Sequence, residues 1–578
     1  MTNQMVLKDA KANKWLWFRN PVQVIVAFQL EEVLSDLCRI EALVADDGLY
    51  AAGFLSYEAA PAFDQALKVR HSRGFPLLWF GIYRNVTLHP APPISTNLRY
   101  FIGPWKPSIS RNAYDRAIEV IRTRLASGDT YQVNFALRLS AAFTGSPWGF
   151  FQALLGAQPV DYAAFIDTGR YVVCSVSPEL FFRLEDRCLS TRPMKGTAPR
   201  GRFLAEDKVR AQELCRSEKE RAENAMIVDM VRNDLGRIAR AGSVQVSHAF
   251  KAERYLTLWQ MTSTVTAETD ASFCDIMTAL FPSASITGAP KVSTMEILAN
   301  LEKTPRAIYT GSIGFLAPGR RAQFNVAIRT VLVDRLKGRA TYGVGSGIVW
   351  DSDCQSEYAE CRLKARVLAD KRPDFSLLET LLWMPGAGYF LLARHLQRLR
   401  DSASYFGFPA KMGKIREKLM ALAATLPKNQ HRVRLLVARD GAISCEASSL
   451  AGQKNVVPIQ LKLATTPIDS KNSLLFHKTT HRTIYEAAQS GCSDCDEVLL
   501  WNERGEITET GIANIVVQLD GELLTPPVSC GLLPGIFRAW LLDEKKIQER
   551  VITCKMLNLA RRIYLINSVR RWREAILI

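Results

Sequence analysis

Long apolar runs and a disulfide framework are both missing from this sequence of 578 residues. The apolar stretch Val22–Leu30 ends at Glu31, well short of the roughly 18 residues that a membrane-spanning helix needs. The chain does not begin with a basic segment followed by a long apolar one, so we expect no signal peptide, no membrane partner and a cytoplasmic location. The twelve cysteines are too few and too scattered for a disulfide framework.

Negative charge is scarce relative to positive charge, with 57 Asp and Glu against 74 Lys and Arg and a net charge of +17. The basic residues are spread along the chain and form no aromatic-interleaved stripe or known nucleic-acid module, so we expect no nucleic-acid partner. A diffuse positive potential suits the binding of small anions instead. The content of 48% hydrophobic and 23% charged residues is typical of a soluble globular protein.

The sequence also lacks a long flexible linker, an internal repeat and a low-complexity tract. Its length suggests two to four domains, and the pattern changes at residues 371–374, Lys-Arg-Pro-Asp. Glu357–Asp370 has helical periodicity and ends in a basic turn before the proline, which is a helix stop signal. We predict a domain over 1–372, with its motifs in 100–370, and a second domain over 373–578.

Both halves have patterns that predict mixed α/β (α/β or α+β) folds rich in antiparallel strands. In the first half, Phe324–Asp334 and Ala340–Trp350 have β-strand character. The second half begins with a strand-like run at Leu377–Trp383 and continues with a helix at Leu391–Phe406. Three hairpin turns are then predicted, at Asp440-Gly441, Glu503–Gly505 and Asp520-Gly521.

Two helical stretches carry spaced carboxylates. Glu220 and Glu223 lie three residues apart, and Glu357, Glu360 and Lys364 stand at positions i, i+3 and i+7, so each set shares one helix face. Two such helices could hold Mg²⁺, which prefers oxygen ligands. On spacing alone, solvated helix faces explain these carboxylates better, but the surrounding motifs favour the metal.

Five short motifs support this interpretation: Tyr131–Asn134, Ser177–Glu179, Arg192–Thr197, Ile286–Lys291 and Glu357–Lys364. Together they resemble the chorismate-utilising enzymes, a family that includes anthranilate, aminodeoxychorismate, isochorismate and salicylate synthases. The lysine at position 195 resembles the aminodeoxychorismate synthases, which have lysine at this position, whereas anthranilate synthases have alanine there. Gln132 stands where isochorismate and salicylate synthases have a base lysine, so activation of water is not expected.

The resemblance implies a fold with large antiparallel sheets and flanking helices, and a site for chorismate and Mg²⁺. It assigns the metal to Glu223 and Glu360, supported by Glu220 and Glu357, where the metal would clamp the ring carboxylate of chorismate. Lys364 would pair with that same carboxylate.

The resemblance further implies that Tyr309 and Arg329 bind the enolpyruvyl carboxylate, a task that suits the forked guanidinium. Backbone donors around Ser285–Gly288 and Gly345–Gly347 would complete the cradle, because glycine permits close approach. Ser285, Gly345, Gly347 and Gln132 therefore count as expected substrate-binding residues.

The implied chemistry is displacement of the ring C4 hydroxyl. Glu179 matches the general acid, which needs a raised pKa to hold its proton. Lys195 would attack ring C2 as a neutral amine, and ammonia would then replace it by adding at C4. No Gly-x-Cys-x-Gly sequence is present, so a separate glutamine amidotransferase subunit is expected to supply the ammonia. Gln260 stands where many relatives have histidine, which puts a proton-handling role there in doubt.

In the second half, His395–Leu399, Lys478, Glu509 and Leu532–Ile536 follow one another in an order that resembles fold-type IV pyridoxal-phosphate enzymes. This group contains amino acid aminotransferases and aminodeoxychorismate lyase, and it implies two subdomains and homodimers. Lys478 would form the Schiff base and transfer protons, and Glu509 would pair with the pyridine nitrogen.

The cofactor phosphate would be held by Arg398, by backbone amides at Ile536 and by Ser568. Phe537 stands where some relatives have a phosphate-binding threonine, so that contact is not expected. Thr380 aligns with a threonine that contacts substrate or cofactor.

The two resemblances together imply the synthesis of 4-aminobenzoate, a folate precursor, from chorismate. Three alternatives remain at this point. The first half could make anthranilate, the second half could be an amino acid transaminase, or the second half could be a non-catalytic module that stabilises the first.

Overall fold

The computed structural model describes residues 3–72, 74–92, 98–369, 373–450, 458–492 and 494–578. The predicted joint at Lys371-Arg372 lies outside these residues. Contacts divide the chain into two compact units, the first containing the residues before Arg200 together with those from Ala211 to the joint. The second contains Arg200–Arg210 and the residues from Pro373 onward. Within the described residues, no helix is both long and apolar enough to span a membrane.

The first unit contains two large antiparallel sheets. In the described residues the first sheet has the spatial order Gly288–Ala289, Gln132–Gly145, Arg339–Ile348, Thr330–Asp334, Tyr171–Ser177, Tyr162–Asp167, Gln4–Asp9, Lys14–Phe18 and Val86–His89, with Tyr100–Ile102 and Lys106–Pro107 also paired to Gln132–Gly145. The second has the order Met194–Pro199, Leu258–Glu268, Cys188–Arg192, Leu180–Glu185, Arg321–Val326, Ser312–Ala317, Tyr50–Leu55, Leu78–Tyr83 and Gln23–Ala27, with Gln245–Arg254 also paired to Leu258–Glu268.

Helices flank these sheets. They are α1 Leu30–Ala45, α2 Ala60–Phe63, α3 Arg111–Ala126, α4 Pro147–Ala157, α6 Glu218–Gly236, α7 Phe273–Leu280, α8 Lys291–Leu301 and α9 Cys354–Ala365, while the residues of α5 Leu204–Arg216 up to Arg210 belong to the second unit. One apolar core joins the facing sides of the two sheets, and a second packs α1, α6 and α7 on the outer side of the second sheet. A third packs α3, α4 and α9 on the outer side of the first sheet. The predicted large antiparallel sheets with flanking helices are confirmed.

Two predicted elements of this unit differ in the structure. Phe324–Asp334 is not one strand, because Arg321–Val326 belongs to the second sheet and Thr330–Asp334 to the first. The chain crosses between the sheets at Ala327–Arg329, where Arg329 has a left-handed φ of 49°. The helix predicted over Glu357–Asp370 ends at Ala365 and continues only as a 3₁₀ turn to Leu368, while Asp370 is outside the described residues.

The second unit has two sheets. The smaller one is antiparallel, in the order Gly388–Tyr389, Leu377–Met384, His431–Val437 and Ile443–Ser449. The larger one is mixed, in the order Ile507–Thr510, Glu497–Trp501, Ile459–Leu463, Arg571–Leu577, Arg562–Asn567, Asn514–Leu519, Glu522–Thr525 and Gln548–Glu549. A pairing of Glu509 with Asn514 closes part of this sheet into a ring.

The helices of the second unit are α10 Leu392–Phe406, α11 Met412–Thr425, α12 Thr483–Ser490, α13 Ile536–Asp543 and α14 Cys554–Leu557. The strand and the helix predicted at the start of this half are confirmed to within one residue. All three predicted hairpin turns join adjacent antiparallel strands. At the third, Asp520 and Gly521 both have positive φ, as the tight hairpin turn requires.

Candidate active sites

The first unit encloses a cavity of about 400 Å³ that gathers nearly all the residues predicted for the first site. Its lining includes Glu179, Lys195, Glu220, Glu223, Ser285, Tyr309, Arg329, Gly345, Gly347, Glu357, Glu360 and Lys364. Gln132 lies just behind this wall: a Cβ added at Gly347 would overlap the Lys195 ammonium and lie 3.3 Å from the Gln132 amide nitrogen. Neither polar atom of the buried Gln132 amide has a hydrogen-bond partner among the described residues.

Lys195 is directed into this cavity by a β-bulge. Met194 pairs with Thr262 but Thr197 pairs with Gln260, so the strand carrying Lys195 has one extra residue. Gly196 takes the left-handed conformation this requires, with φ 98°. The Lys195 ammonium lies 3.2 Å from a carboxylate oxygen of Glu223.

The backbone around Lys195 is held from two sides. The Asn224 side chain on α6 donates to the Lys195 backbone carbonyl at 3.2 Å, and Ser263 Oγ donates to Oδ1 of the Asn224 side chain. Gln260 donates to the Gly196 carbonyl at 2.8 Å. The Gln260 amide is thus a structural support for this bulge, which agrees with the doubt about a proton-handling role.

The four glutamates of α6 and α9 face the cavity and influence one another. Burial raises the pKa of Glu220, and the nearby charge of Glu223 raises it further. Burial likewise raises the pKa of Glu357, which accepts a hydrogen bond from Ser352 at 2.7 Å. Burial would also raise the pKa of Glu360, but Lys364, at 2.8 Å, together with the charges of Lys195 and Lys219 outweighs this and keeps the pKa below its usual value.

These carboxylates fit a hard divalent cation in their chemistry, because oxygen donors are what Mg²⁺ prefers. Glu357 Oε2 is buried without a hydrogen-bond partner among the described residues, so it is free to bind a cation. Within the described residues, however, no three His, Cys, Asp or Glu side chains form a closed metal-binding cluster. In this structure Lys195 and Lys364 neutralise Glu223 and Glu360.

Glu179 has the properties of an acid that stays protonated near neutrality. It follows the strand Tyr171–Ser177, is 3% exposed, and accepts a hydrogen bond from Ser285 Oγ at 2.6 Å. Burial raises the pKa of Glu179 to about 7, although the Ser285 hydrogen bond opposes this effect. A carboxyl with such a pKa can donate its proton at physiological pH.

Arg329 and Tyr309 provide an uncompensated positive charge and an aromatic wall. Arg329 is buried, and its Nη1 has no hydrogen-bond partner among the described residues. The Tyr309 ring packs against Gly343, where a Cβ would overlap the ring. An anion is the partner that such a buried guanidinium requires.

The second unit encloses a cavity of about 500 Å³ with all the residues predicted for the second site in its lining: Thr380, Arg398, Lys478, Glu509, Ile536 and Ser568. Lys478 is fixed by a hydrogen bond from the Leu378 amide to its carbonyl at 2.9 Å. Burial, assisted by the charge of Arg398, lowers the pKa of the Lys478 amine to about 8. A neutral amine is therefore accessible near physiological pH.

Glu509 is held rigidly by three donors. The Leu533 amide, Tyr485 Oη and Asn514 Nδ2 donate to its carboxylate at 3.0, 2.8 and 3.0 Å. Burial raises the pKa of Glu509 to about 7, while these hydrogen bonds and the charge of Lys478 act in the opposite direction. A protonated ring nitrogen beside it would favour the ionised form.

Arg398 does not lie free in the cavity. Its Nε and Nη2 donate to the two oxygens of Glu379 at 2.9 and 2.7 Å, and its Nη1 donates to the Pro534 carbonyl at 3.1 Å. Glu379 also lies 2.6 Å from Nδ1 of His395. Glu379 therefore orients His395 and Arg398, two of the three polar residues of the His395–Leu399 motif.

Residues 2–370 match the family model described as chorismate binding enzyme. The chain belongs to the chorismate binding enzymes. It is 40% identical over 265 residues to aminodeoxychorismate synthase component 1 of Bacillus subtilis, covering 46% of this chain and 56% of that protein. It is 39% identical over 262 residues to anthranilate synthase component 1 of Thermus thermophilus, covering 45% of this chain and 56% of that protein.

A solved structure of anthranilate synthase component I from Streptococcus pneumoniae is 25% identical to this chorismate binding enzyme. The match covers 64% of this chain and 92% of that one, with a TM-score of 0.54. This chain spans about half the length of the curated relatives it matches. Residues 376–578 match a second family model, amino-transferase class IV.

Several residues of this chorismate binding enzyme that shape the sites were missed by sequence reasoning. They are Asn224, Gly343, Glu379, Tyr485 and Asn514. The roles of Gly343, Glu379 and Tyr485 depend on contacts with residues farther away along the chain, so no local pattern marks them. Asn224 and Asn514 carried a signal, because Asn224 follows Glu223 on the same predicted helix and Asn514 lies five residues after Glu509.

Proposed function

We propose that this protein converts chorismate into 4-aminobenzoate in two steps, one in each unit. The first unit replaces the ring C4 hydroxyl by an amine to give 4-amino-4-deoxychorismate, and the second removes pyruvate from that product. The observation that carries the proposal is Lys195, which lies in one cavity with Glu179 and the glutamates of α6 and α9. The similarity to aminodeoxychorismate synthase component 1 supports it.

Chorismate is a dianion, and the first cavity offers cations for both carboxylates. Tyr309 and Arg329, whose Nη1 has no hydrogen-bond partner in the described part of the chain, bind the enolpyruvyl carboxylate. Lys364 pairs with the ring carboxylate after leaving Glu360. Mg²⁺, held by the glutamates of α6 and α9, would neutralise the ring carboxylate when bound.

The amination then needs a proton donor and a nucleophile. Glu179 gives its proton to the C4 hydroxyl, which leaves as water while the Lys195 amine forms a bond to C2. Ammonia next forms a bond to C4, and the bond between Lys195 and C2 breaks, so the lysine is regenerated. Gly347 leaves space beside the Lys195 amine, because any larger residue would overlap it.

The ammonia comes from a glutamine amidotransferase partner. This chain carries no Gly-x-Cys-x-Gly sequence with which to hydrolyse glutamine itself. The name of the Bacillus subtilis relative, component 1, implies a second component in that protein. A homodimer stays a prediction from the fold-type IV resemblance.

The second cavity fits pyridoxal phosphate. Lys478 is an amine with a lowered pKa, Glu509 is a buried carboxylate, and Arg398, Ser568 and the Ile536 amide lie where a phosphate can be held. The cofactor supplies an electron sink when bound. Lys478 removes the C4 proton of aminodeoxychorismate, Glu509 holds the cofactor in place, and loss of pyruvate leaves the aromatic ring.

Removing each lysine separately tests the two assignments. Lys195→Ala should stop aminodeoxychorismate formation while chorismate binding persists, and Lys219→Ala is the matched control because Lys219 lines the same cavity. Lys478→Ala should accumulate aminodeoxychorismate and release no pyruvate. Normal amination by Lys195→Ala would remove that lysine from the mechanism, and pyruvate release by Lys478→Ala would overturn the lyase assignment.

A further inference from the structure

The cavity of the second unit carries far more positive than negative charge. Its cationic lining residues are Arg398, Arg432, Arg434, Lys478, Arg482, Arg570 and Arg573. Glu509 is the one carboxylate among the described residues that line it. Such a cavity suits a ligand with more negative groups than a single phosphate.

Part of this positive charge is already accounted for. Arg398 is paired with Glu379, and Lys478 and Glu509 face the reacting atoms in the proposed function. Arg482 donates to the Gly511 carbonyl and stacks on a tyrosine ring. Among the described residues, the arginines of three other segments have no carboxylate partner of this kind.

Arg432, Arg570 and Arg573 converge on the cavity from three places in the fold. They lie on the strand His431–Val437, in the turn after Ser568 and on the strand Arg571–Leu577. Burial and then the charges of Arg573 and Arg432 lower the pKa of Arg570, so the three guanidinium groups act on one another.

The positive charges of these three arginines are only weakly neutralised by the described residues of the protein. No carboxylate lies within 4.0 Å of any of the three in the described part of the chain; the ion pairs found there involve other residues. Arg432 donates to the neutral Ser448 hydroxyl at 3.2 Å. Burial raises the pKa of Glu497, and the charge of Arg573 opposes this rise only in part. Holding like charges together is unfavourable unless an anion joins them.

We propose that Arg432, Arg570 and Arg573 form a carboxylate subsite at the mouth of the second cavity, distinct from the phosphate contacts at Arg398, Ile536 and Ser568. The inference rests on the proposed function, because it assigns to this subsite the ring carboxylate of aminodeoxychorismate. That carboxylate lies para to the amine, so its capture at the mouth directs the amine inward toward Lys478. The subsite selects cyclic amino acids with a distant carboxylate over ordinary α-amino acids.

Calorimetric titration of the full-length holoprotein tests the subsite with two probes of equal shape. The product 4-aminobenzoate carries the carboxylate, and 4-aminobenzamide replaces it by a neutral amide. We expect 4-aminobenzoate to bind about tenfold more tightly than the amide, and Arg570→Gln and Arg432→Gln to remove most of this difference. Arg570→Lys, which keeps the charge but not the fork, should retain part of it. Equal binding of the two probes, or no detectable binding, would overturn the inference.

Arg562→Gln is the matched control, because Arg562 is an exposed arginine on the neighbouring strand that does not line the cavity. The Arg562→Gln variant should bind both probes as the unaltered protein does. Its circular dichroism spectrum should match the spectra of the subsite variants, which shows that all of them are folded alike.

Kinetics with aminodeoxychorismate separate this inference from the proposed function. Arg570→Gln should raise the KM about tenfold while kcat stays within about twofold, because the arginine binds substrate without touching the reacting atoms. If the probes behave as expected but no pyruvate is released, the lyase assignment fails and the subsite stands. If pyruvate is released with an unchanged KM in Arg570→Gln, the subsite fails alone.

Discussion

Replacing Glu379 by glutamine should destabilise the second unit more than any surface change of the same kind. Glu379 is 1% exposed and receives two hydrogen bonds from Arg398, so Glu379→Gln leaves a buried guanidinium without its counter-charge. Breaking such a buried pair typically costs about 3–5 kcal/mol.

The pKa of Glu379 gives a similar magnitude. Burial alone would raise it, but the charges and hydrogen bonds of Arg398 and His395 together outweigh burial and lower the pKa from 4.5 to about 2. At about 1.4 kcal/mol for each tenfold change in the ionisation constant, this corresponds to about 3 kcal/mol of folding free energy at neutral pH. For a unit of this size we expect the melting temperature to fall by roughly 6–12 °C.

The assay is a thermal melt of the full chain, in which the transition of the second unit is identified by its rise on addition of pyridoxal phosphate. Glu503→Gln is the matched control: the Ser470 hydrogen bonds lower the pKa of Glu503 to about 2 as well, but its side chain is 41% exposed. Solvent screening should limit the control to about 1 kcal/mol or less. Equal shifts for the two variants would refute the reasoning.

The pH dependence provides a second check on Glu379. Because its folded pKa lies below its unfolded value, the stabilisation is complete above pH 4.5 and declines as the pH falls toward about 2. The difference in folding free energy between the protein and Glu379→Gln should shrink from about 3 kcal/mol at pH 7 to about 2 kcal/mol at pH 3.5. A difference that grows as the pH falls would contradict the assignment.

Three further predictions concern the active sites. Gly347→Ala should lower the amination rate by about 100-fold because the new Cβ overlaps the Lys195 amine, while Gly156→Ala, in open space, should not; steady-state kinetics with ammonium salt measure both. The amination rate should fall about tenfold per pH unit above about pH 7 as the Glu179 proton is lost, and Glu179→Gln should have a low rate with a flat profile over that range. Lys478→Ala should lack the absorbance band of the bound cofactor, and a normal band there would remove Lys478 as its attachment point.

Much of the first site could be predicted from sequence because its residues stand in short motifs with fixed spacing. Glu357, Glu360 and Lys364 share a helix face by the helical period alone, and the structure places all three in the cavity lining. The position of Arg329 was harder to predict, since the apolar pattern of Phe324–Asp334 reads as a single strand. The chain instead changes sheets there. Arg329 itself has the left-handed conformation at the crossing, and its side chain lines the cavity.

The second site shows a different limit of sequence reasoning. Arg398 could be identified from its motif on α10, but its partner Glu379 lies on the strand Leu377–Met384, and an isolated glutamate there gives no signal. Asn514 is a local donor to Glu509, five residues away, but the donors from α12 and from the loop before α13 are each 24 residues away and come together only in the folded unit. Contacts of this kind depend on the tertiary fold rather than on local periodicity.

Identification of the product tests the central claim most directly. The purified chain would be incubated with chorismate, Mg²⁺, pyridoxal phosphate and a high concentration of ammonium salt, and the products separated by chromatography and identified by mass and fluorescence. The account predicts equal amounts of 4-aminobenzoate and pyruvate. Anthranilate as the aromatic product would contradict the role assigned to Lys195, and accumulation of aminodeoxychorismate without 4-aminobenzoate would contradict the role assigned to the second unit.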